Sequence, residues 1–107
     1  MNAAPVNSNI FQAIADPTRR TLLDLLSEGA RAVKAMQEPF DISQPALSQH
    51  LRVLRRAGLV SSRRIGREQW YRLNAEPLTE VSAWIAPYER FWRGRMKALG
   101  DHLDRKP

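Results

Sequence analysis

Residues 43–58 constrain the fold more than any other stretch, because they are written as a helix with two unlike faces. The Ser43 hydroxyl can cap the first turn, Pro45 is tolerated there, and Gly58 supplies the stop. Leu47, His50, Leu51 and Leu54 recur at i, i+3, i+4 and i+7, which is one helical face. Gln44, Pro45, Ser48, Gln49 and Arg52 fall on the opposite face. A helix that only needs to be wet usually carries long Glu and Lys side chains. The short polar groups here allow close approach to a base edge, and glutamine can pair adenine bidentately. His50 sits on the apolar side and reads as a packed or hydrogen-bonded residue.

Two strand-like runs follow, residues 59–65 and 68–73, joined by the turn signal Gly66-Arg67. Their β-branched and aromatic residues predict a hairpin. Trp70 and Tyr71 are adjacent, so one of them must face the core. The tip carries Arg63, Arg64 and Arg67. Composition matters at this point. The net charge is +6, and residues 52–72 hold Arg52, Arg55, Arg56, Arg63, Arg64, Arg67 and Arg72 against Glu68 alone. Before and after this stretch acids and bases nearly cancel. Arginine is the side chain that pairs phosphate and guanine edges bidentately, so the concentration points to nucleic acid.

The flanking segments are helical. Ser8 or Asn9 can cap a first helix bearing Ile10, Phe11 and Ile14. Asp16 is an N-cap with Pro17 at the first helical position, and Leu22, Leu23, Leu25 and Leu26 mark a second helix ending at Gly29. A third, short helix is predicted over residues 31–38, before Pro39. From Glu76 onward Leu78, Val81, Trp84, Ile85, Tyr88, Phe91, Trp92, Met96, Leu99 and Leu103 step by three or four. Pro87 interrupts that run, which predicts a kink or two abutting helices. The fold class is mainly α with a small β-hairpin, in the order α-α-α-α-β-β-α, the last α either whole or split in two. The expected organisation is a mobile tail over residues 1–8, one domain over 9–104 ending in dimerisation helices, and a tail over 105–107.

Several function classes drop out. The chain has no cysteine, so disulfides, thiolate metal sites and cysteine nucleophiles are excluded. No paired carboxylates sit in an apolar setting, no glycine-rich phosphate loop occurs, and Ser/His pairs lack an orienting acid, so an enzyme is not expected. No basic region followed by an apolar run opens the chain, and no apolar stretch approaches the roughly 20 residues of a membrane span. The expectation is a cytoplasmic protein without cofactor, metal or membrane partner. Two rivals to DNA binding remain. A protein-interaction module would not need the arginine-rich hairpin, and an RNA binder would want more exposed aromatics than Trp70 and Tyr71.

The run Ser43-Gln44-Pro45-Ala46-Leu47-Ser48-Gln49-His50-Leu51-Arg52-Val53-Leu54-Arg55-Arg56-Ala57-Gly58-Leu59-Val60 resembles the signature of the ArsR-type repressors. So do Ala15-Asp16-Pro17-Thr18-Arg19-Arg20-Thr21-Leu22-Leu23 before it and Gly66-Arg67-Glu68-Gln69-Trp70-Tyr71-Arg72-Leu73 after it. The resemblance spans residues 11–103 and implies a winged helix-turn-helix homodimer that binds duplex DNA at a palindromic operator and represses its own operon. It implies that Gln44, Ser48 and Gln49 touch base edges. Arg52, Arg55 and Arg56 would meet phosphates or, for Arg52, a guanine edge, Ser43 and Thr18 would donate to the backbone at helix starts, and Arg63, Arg64 and Arg67 would anchor the wing. It also implies a dimer interface of first and last helices, here Ile10, Phe11, Ile14, Trp84, Tyr88, Phe91, Trp92 and Leu99. The metal-sensing branch carries cysteines where this chain has Val33-Lys34-Ala35-Met36, or paired histidines on the last helix where it has His102 alone. The resemblance is therefore to the metal-free branch, and no inducer is identified.

Overall fold

Five α-helices and a three-stranded antiparallel sheet make up the computed structural model, which describes residues 8–104, with side chains described for residues 9–97. The expected tails lie outside the described residues, except that Ser8 already opens α1. The order is α1 (Ser8–Ile14), α2 (Pro17–Leu26), β1 (Arg31–Ala32), α3 (Val33–Gln37), a 3₁₀ turn (Glu38–Phe40), α4 (Gln44–Arg56), β2 (Val60–Ile65), β3 (Glu68–Leu73), a second 3₁₀ turn (Glu76–Leu78) and α5 (Thr79–Asp104).

The core gathers one face from each helix. Leu22 of α2, Met36 of α3, Leu47 and Leu54 of α4, and Leu59 are the largest fully buried side chains. Ile10 and Ala13 close it from α1, and Leu51 and Val60 complete it. Ile10 is 4% exposed, so it has almost no surface left for a partner and belongs to the core rather than to an interface.

Helix ends follow from local chemistry. Asp16 accepts the Arg19 backbone N–H at 3.0 Å and caps α2. Arg19 and Arg20 turn back onto the end of α1. Arg19 Nε donates to the Ala13 carbonyl at 2.8 Å and Nη2 to the Gln12 carbonyl at 3.1 Å. Arg20 Nη1 donates to Ile14 at 2.8 Å. These are carbonyls that a helix C-terminus leaves without internal partners, at the negative end of its dipole. α4 ends in a Schellman arrangement. Gly58 takes φ 78°, its N–H donates to Arg55 at 2.9 Å, and the Leu59 N–H donates to Leu54 at 3.0 Å. Asn74 then holds this corner, donating from Nδ2 to the Gly58 carbonyl at 2.9 Å.

The structure corrects three expectations about element bounds. α2 stops at Leu26 with Ser27 as its C-cap; Gly29 has φ 142°, outside the left-handed helical cap conformation. The third helix does not begin at residue 31, because Arg31 and Ala32 pair with Tyr71 and Trp70 as an edge strand. The β-hairpin is thus the larger part of a sheet ordered β1-β3-β2. A two-residue strand carries no periodicity, so nothing in the sequence marks it. Pro87 neither breaks nor splits the last helix, which runs unbroken through it. Ala83 and Pro87 are both exposed, so water can take up the carbonyl that the proline leaves without a donor.

The capping of α2 has a measurable consequence. The Asp16 carboxyl is held below its ordinary value of 3.8, chiefly by the Arg19 backbone N–H. Partial desolvation opposes this, while the Arg19 charge and the Thr18 N–H add to it, as His50 does only where its ring is protonated. A depressed folded-state value means stability that is present above the ordinary carboxylate range and lost as pH falls through the folded value. Asp16→Ala should cost about 1 kcal/mol at neutral pH in urea unfolding. The difference from wild type should shrink steadily once the pH drops below that range.

Candidate nucleic-acid interface

α4 is oriented by its leucines. Leu47 and Leu54 are 0% exposed and Leu51 2%, so this seam faces inward and the opposite face is forced into solvent. Gln44, Ser48, Gln49, Arg52, Arg55 and Arg56 are all exposed. The turn leading into α4 is built from the 3₁₀ segment and Asp41, a left-handed residue at φ 49°. Phe40 and Ile42 flank it and pack on the core. Ser43 caps α4, its Oγ accepting the Ala46 N–H at 3.2 Å, which leaves the hydroxyl proton for an outside acceptor. α3, this turn and α4 form the helix-turn-helix.

The hairpin stands beside α4. Arg55 Nη1 donates to Ser62 Oγ at 3.1 Å and ties the end of the helix to β2. The two-residue connection predicted at Gly66-Arg67 is present, with Gly66 at φ 64°. Pairing register then divides the tip arginines that the sequence presents as one group. Arg64 pairs with Gln69, on the face shared with Ser62 and Tyr71. Arg63 pairs with Trp70, on the other face with Ser61 and Arg72. Arg64 Nε also approaches the Gly66 carbonyl at 3.4 Å. Of the adjacent aromatics, Tyr71 packs on the core and Trp70 takes the far face.

The structure brings Gln44 and Arg67 to one groove, together with Lys34 and Gln37 of α3 and Gln69 of β3. Lys34 is exposed there and is a cation that pattern reasoning passed over. Arg72, counted in the arginine-rich stretch but given no contact there, is exposed and donates to Ser61 Oγ at 3.0 Å. Thr18 is half-buried in the first turn of α2, away from this groove's lining. His50 lies behind α4, where Arg19 Nη1 reaches its Nδ1 at 3.2 Å, in keeping with the hydrogen-bonded reading.

A second surface lies on α1 and α5. Trp84 is 58% exposed, Tyr88 51%, Phe91 56%, Trp92 52% and Met96 67%. Phe11 meets Trp84 edge-to-face at 5.8 Å, and Trp84 meets Tyr88 at 5.5 Å. Arg95 lies over the Phe91 ring at 4.5 Å. Ile14 is half-buried against the core, and the Leu99 side chain lies outside the described ones. No helix among the described residues is long and apolar enough to cross a membrane.

Comparison with known proteins agrees with this geometry. Residues 14–63 match a family described as a helix-turn-helix domain. The transcriptional repressor SdpR of Bacillus subtilis is 41% identical over 78 residues, covering 73% of this chain and 87% of SdpR. The arsenical resistance operon repressor of Staphylococcus aureus is 38% identical over 74 residues, covering 69% of this chain and 71% of that protein. A crystal structure of an ArsR family transcriptional regulator superposes with a TM-score of 0.74 at 36% identity, covering 87% of this chain and 97% of its own. With a helix-turn-helix and wing in place, and with relatives that are named as regulators and not as enzymes, the chain belongs to the ArsR family of winged helix-turn-helix transcriptional repressors.

Proposed function

We propose that this repressor works in the cytoplasm as a homodimer on a palindromic operator, that it regulates its own gene, and that metal does not release it. The observation that carries the reading is the outward polar face of α4 standing beside an arginine-bearing hairpin. A two-fold dimer would present two copies of α4 to successive major grooves, with half-sites about 34–36 Å apart. Gln44, Ser48 and Gln49 would meet base edges. Arg52, Arg55 and Arg56 would neutralise phosphates along the groove, with Ser43 and Thr18 donating at helix starts. Arg63, Arg64 and Arg67 would hold the wing to the adjoining backbone. Occupancy alone blocks the polymerase, so no chemistry is required.

The large exposed aromatics support the dimer. A face of this composition is unusual on a small monomer, and a two-fold interface buries the same patch on both subunits. Absence of cysteine supports metal independence, as does His50, whose Nδ1 is already engaged by Arg19. The name of the staphylococcal relative ties that protein to arsenical resistance. This chain has Val33-Lys34-Ala35-Met36 where the family's cysteine ligands would stand.

Selection of genomic fragments by the purified protein, followed by footprinting, tests the reading: a protected palindrome supports it, and its absence at moderate salt defeats it. If the dimer neutralises about 6–10 phosphates, affinity should fall about 10³–10⁵-fold between 50 and 200 mM salt. Gln49→Ala should cost about 1–3 kcal/mol on the cognate site and little on random duplex. Arg64→Ala should weaken all duplexes alike and flatten the salt slope by about one per protomer.

The dimer has its own test. Trp92→Glu places two charges in the proposed interface while leaving the monomer core untouched. Its dimer dissociation constant should rise about 100-fold or more in sedimentation experiments, with helicity unchanged by circular dichroism. Operator affinity should fall with it.

A further inference from the structure

Apolar burial holds α4 in place but does not aim it, since hydrophobic contact is non-directional. A helix seated on Leu47, Leu51 and Leu54 can tilt or roll by a few degrees without leaving the core. Directional contacts to other elements must fix the rest. Among the described residues, α4 side chains make such bonds at its C-terminal end, from Arg55 to β2, and at its middle, from His50 to α2. The second has the longer reach. Arg19 uses one planar guanidinium to touch the Gln12 and Ala13 carbonyls of α1 and the His50 ring of α4. α1 is also the helix whose Phe11 packs edge-on against Trp84 of α5.

We propose that the Arg19–His50 hydrogen bond sets the attitude of α4 relative to the aromatic face of α1 and α5, making both residues positioning residues for operator binding. The inference rests on the dimeric operator reading above. Two recognition helices fit one palindrome only if each is held at a fixed angle to the dimer axis. A guanidinium bridging the interface-bearing helix to the recognition helix supplies that angle. Random duplex makes no such demand, because phosphate contacts tolerate small changes of helix orientation.

The chemistry of the bridge fixes the state of His50. A guanidinium only donates, so the bridge requires Nδ1 to accept, which is the neutral ring form with its proton on Nε2. Asp16 Oδ2 lies 4.0 Å from the same nitrogen and would be its partner only if Nδ1 carried the proton. At 3.2 Å the arginine contact is within hydrogen-bonding range, and the carboxylate contact is beyond it. Leucine at position 50 removes the acceptor and leaves Arg19 its two carbonyls on α1. Asparagine keeps an oxygen acceptor, its Oδ1, at the δ position that the imidazole Nδ1 occupies.

The experiment compares wild type, His50→Leu and His50→Asn on the protected palindrome and on random duplex. Wild-type protection of a palindrome tests the operator reading, and the His50 comparison tests this inference alone. A hydrogen bond to a charged group is strong enough that His50→Leu should lose about tenfold or more in palindrome affinity. Its random-duplex affinity should stay within about twofold, its dimerisation should match wild type, and His50→Asn should recover most of the loss. An unchanged palindrome-to-random ratio in His50→Leu overturns the proposal, and so does failure of His50→Asn to rescue. Nitrogen-15 spectra of the wild-type imidazole at about pH 8 probe the bridge without requiring any variant to fold. The Nε2–H tautomer is expected, and a proton on Nδ1, paired with Asp16, overturns the bridge.

Discussion

The inward seam of α4 is the constraint on which the rest of the molecule depends. Leu47, Leu51 and Leu54 are buried essentially completely, and helical geometry then leaves no freedom over what happens opposite. Ser48, Gln49 and Arg52 must be exposed because the leucines are not. Burial of three leucines stabilises the fold by about 1.5–3 kcal/mol each, and the same burial presents the polar face. The Schellman corner at Gly58 extends this economy. It ends the helix, buries Leu59 beside Leu54, and turns the chain directly into β2, so the wing cannot stand far from the helix it serves.

Arginine does two different jobs in this chain, and position decides which. Along α4 and the hairpin, Arg52, Arg56, Arg63, Arg64 and Arg67 are exposed and face solvent, where a guanidinium is available to phosphate. Arg19 and Arg20 are instead turned back onto carbonyls at the end of α1. Arg55 and Arg72 are intermediate, each spending a donor on a serine of β2 and keeping others free. Net charge sees none of this, since every one of these residues counts the same toward the total. The bond geometry separates the groups that join helices from those left for a polyanion.

What was legible in the sequence was whatever repeats along one element. The period of the leucines gave α4, the β-branched and aromatic residues on either side of Gly66-Arg67 gave the hairpin, and Asp16-Pro17 and Ser43-Gln44-Pro45 gave two helix starts with their caps. What was not legible depends on partners distant in sequence. β1 exists because Arg31 and Ala32 meet β3, not because two residues favour extension. Ile10 sits on the same short helix as Phe11, and only tertiary packing shows that one is core and the other surface. Pairing register, rather than composition, puts Arg63 and Arg64 on opposite faces of the hairpin. Arg19 carried no periodic signal either. Its role appears only once the end of α1 and the middle of α4 are brought against α2. At Pro87 the helix continues rather than dividing in two, because the affected turn is exposed and water can compensate.

The aromatic face connects these two halves of the problem. Phe11, Trp84 and Tyr88 already contact one another within the chain, so the patch is partly organised before any partner arrives. Large rigid side chains held in this way lose little conformational freedom on association, which lowers the entropic cost of binding. Their arrangement spans α1 and α5, and α1 is also the helix whose last carbonyls Arg19 and Arg20 secure. A partner that packed on this face would therefore bear on a helix already bonded to the segment behind α4. In the proposed dimer the surface that sets the two-fold axis and the surface that meets the operator are then separated by two hydrogen-bonded contacts rather than by a flexible linker. Subunit association and half-site spacing become one mechanical property of the fold.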